Sequence, residues 1–381
     1  MTVAVLAGCG SVAAPAVSPS SGASTATSST STAPGTASSS ASLPTGACAT
    51  APAPASGVLT GVQFVSPAVG WAVGQHVILG TTDGGRHWTV QDHGRLDVQS
   101  ADFISSQDGW VVGTRSVLAT SDGGARWSAL PDPCIRSVHF VSASDGFAIA
   151  GGTNIGDVSA PSSGGEVLAT SDGGQTWHRL AAPKNAETVC FNTASQGWLG
   201  AAGRLYQTAD GGTTWTAATA APRGLNPGYV ATMVVDCAGD GSAWAVDVGP
   251  GAASNQEPQV GYHAGPSGAV PLFAEQYFPH PGVHVAAQAP GSYTGPVSAI
   301  SPSTAAYVGW CPACGASGSV PWDIVTGTHL TRKSAIGDLT QPEGASFLSA
   351  QTGWVAGAAG SRQLIVFTAD GGRSWQVQYS G

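Results

Sequence analysis

The sequence predicts an all-β fold, a seven-bladed β-propeller of four-stranded blades. Three observations lead there. An Asp-Gly-Gly turn closed by Trp occurs five times. An apolar residue followed seven positions later by an aromatic one occurs seven times. The composition is that of Gly-punctuated β repeats, with 54 Gly, 12 Trp and only 9% charged residues among 381. Short strands at even spacing indicate radial repetition, whereas a two-sheet sandwich gives no reason for a motif repeated seven times.

The chain divides into three parts. Residues 1–9, MTVAVLAGC, end in Leu6-Ala7-Gly8-Cys9. That ending resembles a bacterial lipoprotein signal, which implies acylation of Cys9, although the positive n-region and the longer apolar run of a complete signal are missing. Residues 10–47 are almost wholly Ser, Ala, Thr, Pro and Gly, with no charge and no aromatic residue. Such a segment buries too little apolar area to offset its ordering entropy, so it reads as a disordered tether. Residues 48–381 carry the repeats. A lipid anchor followed by a tether predicts an extracytoplasmic location, membrane-anchored or secreted.

Within the propeller region the turns come first. The five copies place Asp83, Asp122, Asp172, Asp210 and Asp370 five residues before Trp88, Trp127, Trp177, Trp215 and Trp375. The paired Gly supply the positive φ of a tight hairpin, and the Asp carboxylate accepts backbone N–H bonds across it. The Trp is expected to lie over the hairpin and shield those bonds. One carboxylate per turn is too few for calcium, which takes six to eight oxygens. These aspartates are therefore structural.

The second periodicity marks strands A and B. Its pairs are Phe64/Trp71, Phe103/Trp110, Phe140/Phe147, Phe191/Trp198, Cys237/Trp244, Ile300/Tyr307 and Phe347/Trp354. Blade 1 reads as A over 61–65, B over 70–74, C over 77–82 and D over 87–91. Blades 5 and 6 lack the Asp-Gly-Gly turn. A–B and C–D turns share one face of the disc, and B–C turns share the other with the D-to-A links. The A–B spacing is constant. From the B-strand aromatic to the turn Asp the distance is 12, 12, 25, 12 and 16 residues in blades 1, 2, 3, 4 and 7. Further length falls near 247–258, and a long link over about 265–291 joins blades 5 and 6. All the variation lies on the B–C/D–A face, where a rigid scaffold carries binding groups.

Charge points to the same face. Only 13 Lys and Arg stand against 22 Asp and Glu, a net charge of −9 that argues against nucleic acid as a partner. Yet His76, Arg115, Arg204 and Arg362 fall in B–C turns, and Arg95, Lys184 and Arg223 in D–A links. Together they suggest a local cationic surface for a protein or an acidic ligand on a monomer. Exposed turns also need polar residues for no reason but solvation. Ten of the 12 Trp are repeat positions; Trp310 and Trp322 are not, and both join the candidate face.

Six cysteines remain beside Cys9. Cys190 and Cys237 lie on neighbouring A strands, which makes them a pair, and elimination leaves Cys48 with Cys134. For Cys311-Pro-Ala-Cys314 the order of expectation is a local structural disulfide, then half a zinc site, then redox chemistry, because the motif falls in a loop rather than at a helix N-terminus. No residues stand out as catalytic, metal-binding or cofactor-binding. Tyr206, Tyr262, Glu166, Glu257 and Glu275 form no spaced set, and His280 and His284 are too sparse for a metal.

The Asp-Gly-Gly-x-x-Trp turns resemble the Asp-box, or bacterial neuraminidase repeat. Sialidases share the repeat, but their Phe/Tyr-Arg-Ile-Pro signature is absent. Xyloglucan-cleaving glycosidases place a cleft between two propellers, and this chain has one. Residues 58–381, with Phe-x6-Gly-Trp and Thr-x-Asp-Gly-Gly-x-x-Trp, more closely resemble the photosystem II assembly and stability factor family and its non-photosynthetic relatives. That resemblance implies a protein-binding or assembly scaffold, and an arginine-rich patch that Arg115, Arg204 and Arg362 would echo. The alternative is a glycan-binding or glycoside-hydrolase-like protein.

Overall fold

The computed structural model describes residues 58–92, 97–114, 116–152, 164–219, 232–249, 257–274, 285, 287–314 and 320–381. The lipoprotein-type ending, the tether, Cys48, Arg95, Arg115 and Arg223 lie outside the described residues, as do Glu275, His280 and His284.

Seven four-stranded antiparallel sheets follow one another along the chain, each in the order A-B-C-D. Blade 1 comprises Leu59–Phe64, Gly70–Gly74, Val77–Thr81 and Thr89–Asp92, within two residues of the sequence expectation. The A strands of successive blades, from Leu59–Phe64 to Gln341–Phe347, pack side by side around the axis. Among the described residues no strand is exchanged at the closure. Blade 7 is built from Gln341–Phe347, Gly353–Ala359, Arg362–Thr368 and Gln376–Ser380, and its A strand packs directly on that of blade 1.

The core consists of apolar layers between neighbouring blades. A B-strand aromatic stacks on the strand-A Phe of the next blade. Trp71 lies on Phe103 at 4.0 Å, Trp110 on Phe140 at 3.5 Å, Phe147 on Phe191 at 3.3 Å and Trp354 on Phe64 at 3.6 Å. The Gly that opens each of these B strands is required by the same packing: a Cβ on Gly109 would collide with the Phe103 ring. The turn Trp meets that Phe edge-on in its own blade, as Trp127 meets Phe103 at 6.2 Å and 81°. Its ring also lies against the second Gly of the turn it closes, as where Trp215 Nε1 donates to Gly212 O at 3.1 Å.

The Asp turn itself forms as expected. Asp83, Asp122, Asp172, Asp210 and Asp370 each accept, through Oδ1, the backbone N–H four residues on, at 2.8–3.0 Å. The Thr of the same motif has a bonding role that the motif alone did not reveal. The Thr two residues earlier (Thr81, Thr120, Thr170, Thr208, Thr368) donates Oγ1–H to the Asp and accepts the N–H of the second Gly at 2.9–3.0 Å. It stands at that offset in all five copies, which was the available signal.

A second system of bonds ties the A strands into a ring. Gln63 exchanges two bonds with the Phe103 backbone, Asp102 accepts Phe140 N–H, and His139 Nε2 faces Phe191 O at 2.8 Å. Cys190 and Cys237 are disulfide-bonded across blades 4 and 5, with Cα atoms 5.7 Å apart. Asp236 accepts Ala299 N–H, Ser298 accepts Phe347 N–H, and Ser346 accepts Phe64 N–H, which completes the circle.

Two expectations need correction. The A–B geometry is not uniform: in blade 6 Tyr307 pairs with Val297 rather than with a neighbour of Ile300, because the turn tightens to Ser301–Thr304. The link from blade 5 to blade 6 also starts later than about 265, since Gly268–Ala274 is the D strand of blade 5 and pairs with Gln259–Gly265.

Candidate functional site

The B–C/D–A face is assembled from B–C turns and from the first residues of the A strands. His76 sits in the B–C turn of blade 1 with φ 61°, and its Nε2 lies 3.6 Å from Asp97 of the next blade. Arg204 opens strand C of blade 4 after the Ala202-Gly203 turn and is half-buried. Arg362 opens strand C of blade 7, and Lys184 lies in the link from blade 3 to blade 4; both are exposed. These four stand in blades 1, 4 and 7 and in one link, at the ends of different strands.

Carboxylates share this face, which the sequence reading did not anticipate. Glu257, at the start of strand C in blade 5, accepts Thr294 N–H of blade 6 at 2.8 Å. Glu343, near the start of strand A in blade 7, accepts a bond from Gln341 Nε2. Asp247 lies near the end of strand B in blade 5. Burial raises all three carboxyls to about 7. Desolvation penalises the charged form, and neither Glu257 nor Glu343 has its one or two hydrogen bonds outweigh it. Burial, and after it the Asp247 carboxyl, raises the Tyr262 phenol well above its ordinary range, so it is held neutral nearby. Of the acids and phenols considered from sequence, Tyr262 and Glu257 are thus half-buried groups, whereas Glu166 is paired with Arg179 at 2.7 Å.

Arg136 is a further cation that sequence reasoning missed. It is the second residue of strand A in blade 3, and burial lowers it to about 10 against the opposing attraction of Glu187 in blade 4. An Arg inside an inner strand, in a chain with 13 Lys and Arg, was the signal.

The two Trp left over by the repeat separate. Trp322 is wholly buried and does not belong to the face. It stacks on Phe347 at 5.1 Å and meets Trp375 edge-on at 5.6 Å. That is the part played elsewhere by a B-strand aromatic; in blade 6 the B-strand Tyr307 instead turns back to blade 5, where its OH donates to Tyr262 O. Trp310 does lie at the end of strand B, half-buried, 5.1 Å from the Tyr293 ring, with its indole N–H on Thr340 O at 2.8 Å.

Cys311 and Cys314 are disulfide-bonded beside it, with Pro312–Cys314 forming one 3₁₀ turn. Cys134 is disulfide-bonded as well, and Cys48, the partner expected for it, lies outside the described residues. Among the described residues no group of three or more His, Cys, Asp or Glu is placed to hold a metal ion, and no helix is long and apolar enough to cross a membrane.

Residues 49–131 and 95–225 match the family described as photosynthesis system II assembly factor YCF48. No curated protein matches the chain. Among solved structures, YCF48 from Cyanidioschyzon merolae is 17% identical, with 74% of this chain and 84% of that one covered and a TM-score of 0.47. An ancestral GH74 enzyme is 14% identical, with 85% of this chain and 47% of that one covered and a TM-score of 0.57. An oligogalacturonate lyase in complex with manganese is 10% identical, with 79% and 85% covered and a TM-score of 0.52. At these identities the likeness to the last two structures concerns the fold alone.

Proposed function

We propose that this chain is an extracytoplasmic, lipid-anchored propeller that serves as a protein-binding or assembly scaffold through its B–C/D–A face. The observation that carries the reading is the asymmetry of the disc. One face repeats the same Asp turn five times with the same bonds, which leaves little room for specificity. The other varies in loop length from blade to blade and holds His76, Lys184, Arg204 and Arg362. The match over residues 49–225 to the photosystem II assembly factor family supports a scaffold over an enzyme. The disulfides support an oxidising compartment. The partner that fits is a protein with an acidic docking surface, attracted by the cations of this face.

The test is chemical cross-linking of the full chain in its native envelope, comparing wild type with an Arg115→Glu/Arg204→Glu/Arg362→Glu variant. Loss of the same cross-linked partner at unchanged far-UV circular dichroism is expected. Equal cross-linking by the variant removes the reading.

A further inference from the structure

We propose that the Cys311–Cys314 disulfide is a thiol–disulfide exchange site, addressed by a dithiol protein reductant at the exposed residue Cys314. The argument begins with what the bond does for the fold. Loop-closure stabilisation grows with the logarithm of loop length. Cys190–Cys237 spans 47 residues, joins two blades and is wholly buried, as a structural bridge should be. Cys311–Cys314 spans three residues within a single turn and joins nothing that the chain does not already hold adjacent. Cys314 N–H already bonds Cys311 O at 3.1 Å. A bridge with so little structural weight needs another reason for its two cysteines.

Access supplies that reason. Exchange requires a thiolate to approach one sulfur along the S–S axis, so reach decides which bonds react. Pro312, Ala313 and Cys314 are all exposed, whereas Cys311 is buried at 8% and Cys190 and Cys237 at 0% and 2%. The two cysteines of the motif are therefore unequal: Cys314 is exposed and Cys311 is buried. An incoming thiolate attacks Cys314 Sγ and forms a mixed disulfide with it. The Cys311–Cys314 bond breaks, and its electron pair leaves on Cys311 Sγ, which takes a proton from water. The second thiol of the reductant then attacks its own mixed-disulfide sulfur and releases Cys314 as a thiol. The reductant ends oxidised by two electrons and the motif ends as a dithiol.

The consequence lies next door. Trp310 directly precedes Cys311, and its indole N–H holds Thr340 O in the link to blade 7. Opening the bridge places a thiol directly beside Trp310, so its surroundings change while the turn stays held by Cys314 N–H on Cys311 O.

The experiment uses the folded full chain and a thioredoxin whose resolving cysteine is replaced by Ser. A trapped mixed disulfide on Cys314, with Cys311 newly alkylated by N-ethylmaleimide in peptide mass spectrometry, is expected. In a parallel titration with dithiothreitol, Cys311 and Cys314 should become alkylated together at roughly tenfold lower reductant than Cys190 and Cys237. Tryptophan fluorescence should change in the first phase and far-UV circular dichroism should not. No adduct, an adduct on Cys311, or labelling of all four cysteines in one phase overturns the proposal. A Cys314→Ser variant controls the assignment, since it leaves no bridge to open and should form no adduct.

Discussion

Trp354 of the last blade lies flat on Phe64 of the first, with ring centroids 3.6 Å apart and planes within 9°. Ser346, in the same last blade, accepts the Phe64 N–H at 3.0 Å. The ring is thus closed by the two devices that also join blades 1 to 2, 2 to 3 and 3 to 4, an aromatic stack and a polar tie, and among the described residues no strand is carried across. Both termini of the propeller contribute whole blades, and closure depends on side chains. Phe64→Ala should cost about 3–5 kcal/mol, because it removes a buried ring that touches two Trp. Ser346→Ala should cost about 1–3 kcal/mol for the buried amide left without its acceptor. Denaturant unfolding of the two single variants checks the order. Equal stability of Phe64→Ala and wild type would mean that the closure is held elsewhere.

The Asp turns depend on Thr as much as on Asp. Thr170→Val keeps the shape but removes the hydroxyl that accepts the Gly174 N–H at 3.0 Å and donates to Asp172 at 2.8 Å. The expected loss is about 1–3 kcal/mol, with Thr170→Ser near wild type. A Ser variant as unstable as the Val variant would show that the methyl group matters and the bonds do not.

How much of this was legible follows from what each role demands. A tight hairpin with two positive-φ residues tolerates almost nothing but Gly, as at Gly123 and Gly124 with φ 72° and 89°, so the turn repeats letter for letter. The aromatic stack tolerates only large flat rings, so Trp71, Trp110 and Trp354 repeat nearly as well. The inner ring needs only a polar atom within reach of the next blade's backbone. Gln63, Asp102, His139, Asp236, Ser298 and Ser346 all satisfy that, and Cys190 replaces it with a covalent bond. No letter recurs regularly, so no pattern was visible. The same holds for Glu257 and Glu343 on the candidate face. Their character comes from burial between blades, which sequence spacing does not encode. Trp322 misled for the opposite reason: it is a repeat function moved to strand C, off the position where the repeat places it.

The two kinds of Trp should respond differently to loss of the indole N–H. Trp110 Nε1 donates to Gly173 O of the next blade at 3.1 Å, whereas Trp127 Nε1 is buried without an acceptor. Trp110→Phe therefore loses a bond between blades as well as ring area. Trp127→Phe loses area but also removes an unsatisfied donor, whose burial is itself unfavourable. Thermal unfolding should rank Trp110→Phe clearly below Trp127→Phe, and the reverse order would place the energy in ring area alone.

The bridge between blades 4 and 5 replaces a polar tie and closes a long loop. With its cysteines 47 positions apart, the chain-entropy relation gives about 4 kcal/mol for Cys190–Cys237. Reduction under partly denaturing conditions, or a Cys190→Ala/Cys237→Ala variant, should lower the unfolding midpoint by that order. A Cys311→Ser/Cys314→Ser variant should leave it nearly unchanged, since that bridge spans three residues. Equal losses from both pairs would contradict the division between a structural bridge and an exchangeable one.

Stability should peak on the acid side of neutrality. Asp247, Glu257 and Glu343 titrate near 7 in the folded protein, against ordinary values of 3.8 and 4.5. Between those limits the folded state binds more protons than the unfolded chain, so stability falls as pH rises through that window and levels off above about 7. The Asp turns act at the other end. Asp83, Asp172 and Asp370 are held down to about 2, chiefly by hydrogen bonds to the residue four positions on. Their contribution is complete above the ordinary carboxylate value and is lost as pH falls from there toward 2. The two trends leave a maximum in the unfolding temperature at about pH 4–5. The variant Asp247→Asn/Glu257→Gln/Glu343→Gln should flatten the decline from that maximum toward pH 8 while leaving the acid limb unchanged. A decline as steep in that variant as in wild type would assign the pH dependence to other groups.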